Sequence, residues 1–405
     1  MEASIRGIIK AVCISEKKGT EKHPVNEIVL KENFGIEGDA HAGKWHRQVS
    51  LLSAEKVDEF NARGGDAAIG AFGENILVSG IDFKKLLVGS IMRSGEVVMK
   101  LTQIGKECHS HCTIFARVGD CIMPREGVFA TVEHGGVLRS GMELEVTLPA
   151  ADAPLRAAVM TLSDKGAAGE RVDTSGPRAA ELLAEAGYEI VEQVLLPDAQ
   201  KKIERELMRL ADSRQVDLII TTGGTGLSLR DVTPEATMAV ATRNVPGIAE
   251  TIRAESLKIT RRAMLSRGVS VVRGQTLIVN LPGSTKAVEE ALAIVLPQLE
   301  HGLRILIRIP PHVRKRIDIG EPLKVQMGFR IGIHHARTCP DVFLQGVAHH
   351  QIQDGEDGYG GNQDSRRNRQ DDFLFSAVPA RFSGQNHPPS SQKGTAAYEN
   401  TLYLF

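Results

Sequence analysis

The chain has 405 residues, enough for two or three domains, and balances 49 Lys and Arg against 50 Asp and Glu. That balance leaves no electrostatic footprint for nucleic acid or a membrane surface, and no apolar run reaches the length of about 18 residues that a transmembrane helix needs. The start, Met1 to Arg6, lacks the apolar centre of a signal peptide, and five cysteines suit a reducing cytosol better than a disulfide framework, so a cytoplasmic protein is expected.

Residues 1–149 read as all-β. Short apolar runs at 4–12, 27–30, 48–52 and 96–101 are separated by glycine-rich turns. One helix is predicted over Ser53–Arg63, with Ser53 as cap, and a last strand at 141–148. Many short strands with glycine turns predict a barrel or a sandwich. The alanine- and proline-rich stretch 149–154 then reads as a domain junction.

From 155 to 308 strand alternates with helix. Strands are predicted at 155–162, 188–196, 216–222 and 274–280, and helices at 175–186, 199–211 and 284–305, the last with Pro297 where it can bend. This order predicts an α/β layered domain. Its most informative stretch is Thr221–Ala236. A buried strand ends in Gly223, Gly224 and Gly226, which let backbone N–H groups approach an anion. Arg230 and Asp231 follow, then a helix start with Thr233 as N-cap and Pro234 in the first helical position. Strand, glycine loop, acid and helix start together make a phosphate site with a carboxylate beside it, as a nucleotide–metal reaction requires. No Gly-Lys-Ser/Thr follows the glycines, so this is not an ATPase phosphate loop, and the dinucleotide spacing is absent. Glycine-rich turns without a ligand are common in α/β proteins; the adjoining Arg-Asp-x-Thr-Pro run argues for one here.

Residues 309–405 change character. Pro310 and Pro311 stop the last helix, and after residue 350 polar and turn-forming clusters carry no period, so disorder is expected. His334, His335, Cys339, His349 and His350 match no standard zinc spacing.

The central segment resembles the molybdopterin adenylyltransferases of the MoaB/Mog type. The matching pieces are Thr161-Leu-Ser-Asp-Lys-Gly166 with Asp173-Thr-Ser-Gly-Pro177, Leu196-Pro-Asp198, the whole Thr221–Ala236 run and Asn280-Leu-Pro-Gly-Ser284. Their order and spacing match across some 150 residues. The first 145 residues resemble the MOSC domain, a β-rich fold shared with molybdenum cofactor sulfurases, through Gly35-Ile-Glu-Gly-Asp39-Ala-His41, Phe72-Gly-Glu74-Asn-Ile76 and Ile104-Gly-Lys-Glu-Cys108-His-Ser-His-Cys112. Together they imply a β-barrel-like MOSC domain at 1–149, a three-layer MoaB/Mog-like domain at 155–308 and a tail at 309–405.

The resemblance implies that the terminal phosphate of molybdopterin attacks the α-phosphate of ATP and pyrophosphate leaves. Magnesium, a hard cation, takes one or two carboxylates plus phosphate oxygens. Asp198 and Asp231, each following a strand, are the expected catalytic and metal pair, although Asp198 could instead cap the next helix. Thr222, Gly223, Gly224, Thr225 and Gly226 are expected to cradle phosphates through backbone N–H groups. By the resemblance, Ser266 with Arg267, and Asn280, Gly283 and Ser284, lie near the pterin; Asp164 and Ser175 could line the same edge. For the MOSC domain the resemblance implies binding of the finished cofactor, or sulfur transfer, through a soft cysteine thiolate. Cys112 best matches the family's reactive position, while Cys108 and Cys121 compete with it and the Cys108–Cys112 cluster could hold zinc; Cys13 reads as core. His41 and Arg47 could contact phosphate. The implied partners are molybdopterin and ATP as substrates, a molybdenum insertase, client molybdoenzymes and further copies of the chain in a trimer through the central domain, with no nucleic acid and no membrane. Two other readings stay open: a non-catalytic cofactor carrier, and a relative of the nicotinamide-nucleotide hydrolases.

Overall fold

The computed structural model describes residues 5–106 and 120–307. The Cys108–Cys112 cluster, with the assignment made to Cys112, lies outside the described residues, as do the expected disorder and the histidine pairs of the tail.

The N-terminal strands are β1 (Ile5–Ile14), β2 (His23–Val25), β3 (Glu27–Lys31), β4 (Gly35–Ile36), β5 (Val49–Ser53), β6 (Ile76–Ser79), β7 (Ile91–Ser94), β8 (Val97–Ile104), β9 (Val128–His134), β10 (Gly136–Arg139) and β11 (Glu143–Thr147). Seven of them run in the order β11-β7-β8-β9-β5-β6-β1, and β1 pairs back onto β11, so the sheet closes into a barrel. Closure satisfies the edges that an open sheet would present. Alternating side chains fill the interior, among them Ile9, Leu51, Val78, Met99, Leu101 and Val146, all at most 1 % exposed. The expected helix is α1 (Ala54–Ala62). Ser53 precedes it, but its hydroxyl donates to Glu55 Oε2 at 2.6 Å rather than accepting from the helix. A short α2 (Met123–Glu126) leads into β9.

The second sheet holds β12 (Arg156–Leu162), β13 (Glu189–Leu196), β14 (Leu218–Thr222), β15 (Arg243–Asn244), β16 (Ser270–Arg273) and β17 (Thr276–Leu281), in the order β13-β12-β14-β17-β16-β15. The first four are mutually parallel, while β16 runs antiparallel to β17 and β15 antiparallel to β16. The helices are α3 (Asp164–Ala167), α4 (Ser175–Glu185), α5 (Gln200–Met208), α6 (Thr233–Ala239), α7 (Pro246–Leu257) and α8 (Thr285–Ile307). Ala179, Leu183, Ile252, Leu292 and Val295 of α4, α7 and α8 pack on one face of the sheet. Ile203, Leu207 and Ala236 of α5 and α6 pack on the other, with Leu210 from the π turn that follows α5. Both faces are thus covered, which is why β14 and β17 are apolar through most of their length and buried throughout. The chain runs from β12 outward to β13 and then crosses back to β14, so the strand order switches between β12 and β14. Ligands of open α/β sheets bind at the carboxyl ends of strands at such a switch point.

Barrel and sheet touch at the opposite end. Arg214, 3 % exposed, donates from Nη1 to the carbonyl of Thr102 at 2.7 Å and from Nη2 to that of Val191 at 3.3 Å. The Val88 N–H donates to the Gln215 side chain at 3.0 Å, and Lys100 pairs with Glu189 at 2.7 Å.

Candidate active site

The loop after β14 is shaped by what its glycines avoid. Gly223 (φ +95°) and Gly224 (φ +62°) take left-handed conformations. A Cβ at Gly223 would fall 2.3 Å from the Leu162 carbonyl oxygen, and one at Gly224 would fall 2.2 Å from Thr233 Oγ1 and 2.9 Å from Asp198 Oδ1. The backbone therefore threads between the end of β12 and the start of α6 where no side chain fits. Thr233 ties it down, its hydroxyl donating to Gly223 O at 3.0 Å and its N–H to Gly224 O at 3.2 Å. Thr233 is the first residue of α6 and not its cap; Val232 precedes the helix and Pro234 stands second. Arg267 closes the other side, with its N–H on Thr225 O at 2.9 Å, Nε on Gly226 O at 2.6 Å and Nη2 on Asp231 O. With the carbonyls so engaged, the N–H groups of Gly224, Thr225 and Gly226 have no acceptor among the described residues. Three adjacent free donors are of the kind that can bind an anion.

Two carboxylates flank it. Asp198 follows β13, and its side chain does not cap α5, whose preceding residue is Ala199. Instead Asp198 and Asp164 clasp each other: Asp164 N–H donates to Asp198 Oδ2 at 3.1 Å, and Asp198 N–H to Asp164 Oδ1 at 3.0 Å. The second oxygen, Asp198 Oδ1, is buried with no hydrogen-bond partner among the described residues and lies beside Gly224. Burial, reinforced by the charges of Asp164 and Asp231, pushes the Asp198 pKa above its ordinary value. Asp231 Oδ2 accepts from the Ser228 N–H at 2.9 Å and faces Gly226, where a Cβ would come within 2.9 Å of it. Arg230 forks onto Asp164, Nε to Oδ2 at 2.8 Å and Nη2 to Oδ1 at 2.7 Å, and holds that carboxyl below its usual range. A buried carboxylate oxygen without a donor, next to a glycine cradle of free N–H groups, suits a hard cation bridging to phosphate. Among the described residues no group of three or more His, Cys, Asp or Glu could hold a metal by itself.

The remaining expected residues divide. Thr222 is fully buried and shares a hydrogen bond of 2.7 Å with Ser175, so its side chain braces the strand end. The exposed Gly283 and Ser284 lie on the turn after β17; a Cβ at Gly283 would come 3.1 Å from Gly223 Cα, so this turn packs directly on the glycine loop. Ser266 is half-buried beside Arg267. Asn280 corrects the expectation of a ligand contact. It is 3 % exposed, donates to Thr221 Oγ1 at 2.9 Å and Thr237 Oγ1 at 3.0 Å, and accepts from the Val269 N–H at 3.3 Å. Its amide is spent joining β14, α6 and β16. The sequence placed Arg267 near the pterin and Asp164 on the same edge, but gave no sign of the clamp that the first makes or the clasp that the second makes.

Of the three barrel motifs, the two within the described residues bury their acids. Asp39 is buried against Lys22 in an ion pair and also accepts from Asn75 Nδ2 at 3.1 Å and Ser15 N–H at 3.1 Å. Glu74 is fully buried, accepts from the Gly70 N–H at 2.6 Å, and is pushed up to about 6 by burial. Cys13 is fully buried, and burial raises its thiol to about 12, so it is core and unreactive. Cys121 is also buried. His41 stays partly exposed, and Arg47 stacks over Trp45, 4.7 Å from the ring centre.

A closed β-barrel followed by a doubly wound sheet whose glycine loop carries unpaired N–H donors defines a two-part chain, and comparison with known proteins names both parts. Residues 38–145 match the MOSC domain, and residues 158–301 match the family described as a probable molybdopterin binding domain. A molybdopterin adenylyltransferase of Escherichia coli is 44% identical over 141 residues, 34% of this chain and 72% of the relative. One from Helicobacter pylori is 38% identical over 156 residues, 37% of this chain and 86% of the relative. A solved molybdopterin biosynthesis protein from Mycobacterium abscessus is 39% identical, with a TM-score of 0.35, covering 38% of this chain and 94% of its own. The chain belongs, through its central segment, to the molybdopterin adenylyltransferase family of molybdenum cofactor biosynthesis. No helix among the described residues is long and apolar enough to cross a membrane.

Proposed function

We propose that the central domain transfers the adenylyl group of ATP to the terminal phosphate of molybdopterin, and that the barrel binds the finished cofactor or handles its sulfur through Cys112. The observation that carries the first half is Asp198 Oδ1, buried without a partner beside a glycine loop with three free N–H donors. In this reading Asp198 and Asp231 hold magnesium, which when bound neutralises charge on the triphosphate. The N–H groups of Gly224, Thr225 and Gly226 hold phosphate oxygens as negative charge builds on them and on the departing pyrophosphate. The attacking phosphate of molybdopterin is already ionised at neutral pH, so no general base is needed. The chain's task is to align the two phosphates and exclude water from the α-phosphorus. Gly283, Ser284 and Ser266 border the same loop and are proposed to take the pterin edge. A trimer through the central domain, delivery to an insertase or client molybdoenzymes, and a cytoplasmic setting belong to the same proposal.

The test is incubation with molybdopterin, ATP and magnesium, with mass analysis of the products. Adenylylated molybdopterin and pyrophosphate in equal amounts are expected. Molybdopterin binding without turnover would mean a carrier, and turnover of pyridine nucleotides alone would mean a hydrolase.

A further inference from the structure

Asp164 makes more contacts than a residue starting a four-residue helix needs. Its N–H and its carboxylate form a reciprocal pair with Asp198, which locks the loops after β12 and β13 together. The same carboxylate receives the fork of Arg230. Two consequences follow. With Asp198 Oδ2 tied to the Asp164 N–H, the other oxygen, Oδ1, is left to face Gly224. And Arg230, whose side chain is 63% exposed, is held at the mouth of the loop by a bidentate pair. Arg230 already interacts electrostatically with Asp198, so a long exposed cation released from that pair can turn to Asp198 Oδ1, which has no hydrogen-bond partner among the described residues.

We propose that Asp164 is a positioning residue with two tasks: it aims Asp198 Oδ1 at the cation position, and it keeps Arg230 off that oxygen and beside the phosphates. The inference rests on the functional reading above and deepens it. It assigns no contact with substrate to Asp164 itself.

The experiment measures Mn2+ binding to the whole chain, from the loss of the free-ion signal in electron paramagnetic resonance, and so does not depend on turnover. Asp164→Asn keeps an acceptor for the Asp198 N–H but breaks the charge-paired fork. It should weaken Mn2+ binding by about tenfold, the scale of one unit charge moved next to a half-buried ion site. Adding Arg230→Gln should restore binding to within about twofold of the wild type, because the freed cation is then gone. Adding Lys165→Gln instead gives the same net charge on an exposed neighbour and should restore little. Thermal midpoints of all variants should stay close to wild type, since the Asp164–Arg230 pair is solvent-screened, with Arg230 exposed and Asp164 partly so.

Two results would overturn the inference while leaving the adenylyltransferase reading standing. One is wild-type Mn2+ affinity in Asp164→Asn; the other is equal rescue by Lys165→Gln, which would make the effect one of net charge alone. A wild-type chain that binds Mn2+ neither alone nor with a non-hydrolysable ATP analogue, at millimolar concentration, would overturn the metal assignment and this inference with it.

Discussion

Asp231 illustrates how a single residue can be tested without disturbing its surroundings. Its Oδ2 accepts from the Ser228 N–H, and asparagine can present an oxygen in the same place. Asp231→Asn should therefore keep the loop but lose a charge at the proposed cation position, lowering kcat by about a hundredfold or more at saturating magnesium. Near wild-type turnover would remove Asp231 from the site. Glu74 gives a prediction of another kind. Its folded value of about 6 lies above the ordinary 4.5, so folding favours the protonated form. The stability this contributes is complete below pH 4.5 and is lost as pH rises through 6, about 2 kcal/mol in all. Glu74→Gln should flatten that slope. Urea unfolding between pH 4.5 and 7.5, followed at Trp45, the only tryptophan in the chain, reads it; an unchanged slope would mean that another group titrates. Both residues were visible in the sequence as members of motifs, but their directions were not. Asp39 and Glu74 look alike as letters, yet the first is matched by Lys22 and the second is stranded by burial. Asn280 misled for the same reason: a polar residue at the end of a strand can face the ligand or its packing neighbours, and here its partners Thr221 on β14 and Thr237 on α6 lie in the core.

Among the elements, the glycine loop was the most legible, because glycine spacing encodes backbone conformation directly. Gly224→Ala should destabilise the chain by about 1–3 kcal/mol, since the added methyl meets Thr233 Oγ1 and Asp198 Oδ1 at a left-handed φ. It should also weaken binding of ATP with magnesium by displacing the acid that faces the loop. Gly247→Ala on α7, where a Cβ meets nothing within 4 Å, is the matched control and should be neutral or slightly stabilising. If thermal melts and nucleotide titrations show both alanine variants behaving alike, the loop is not under the constraint argued for it. The strands and helices with strong apolar periods, β12, β14, α4 and α8, were anticipated within a few residues. No element was placed between α6 and β17, where α7, β15 and β16 lie. The reason is physical: α7 buries only Ala249 and Ile252, and β15 is two exposed residues, so neither leaves a clear hydrophobic period. The one-residue offset at α6 arises because Thr233 spends its hydroxyl on Gly223 O and is already helical when it does so.

At the scale of the whole molecule, the question is whether barrel and sheet work as one body. The barrel meets the sheet through Thr102, Val88 and Lys100, and their partners Arg214, Gln215 and Glu189 lie at the amino ends of β13 and β14. The glycine loop lies at the carboxyl ends, roughly 20 Å away along strands that rise about 3.3 Å per residue. None of these interface pairs was legible beforehand, because contact between domains leaves no local period in either. A fragment of residues 151–307 should therefore fold and adenylylate molybdopterin within about twofold of the full chain. It should melt about 3–8 °C lower, because Arg214 exchanges Thr102 O for water and the Lys100–Glu189 pair is lost, a cost of about 1–2 kcal/mol. The size is reasonable, since the Helicobacter pylori relative matches over 156 residues that make up 86% of its own length. Calorimetry and the same product assay decide the matter. A fragment that is folded by circular dichroism but inactive would mean that the barrel reaches the site by a route other than the contacts described, and the assignment of catalysis to the central domain by itself would fall.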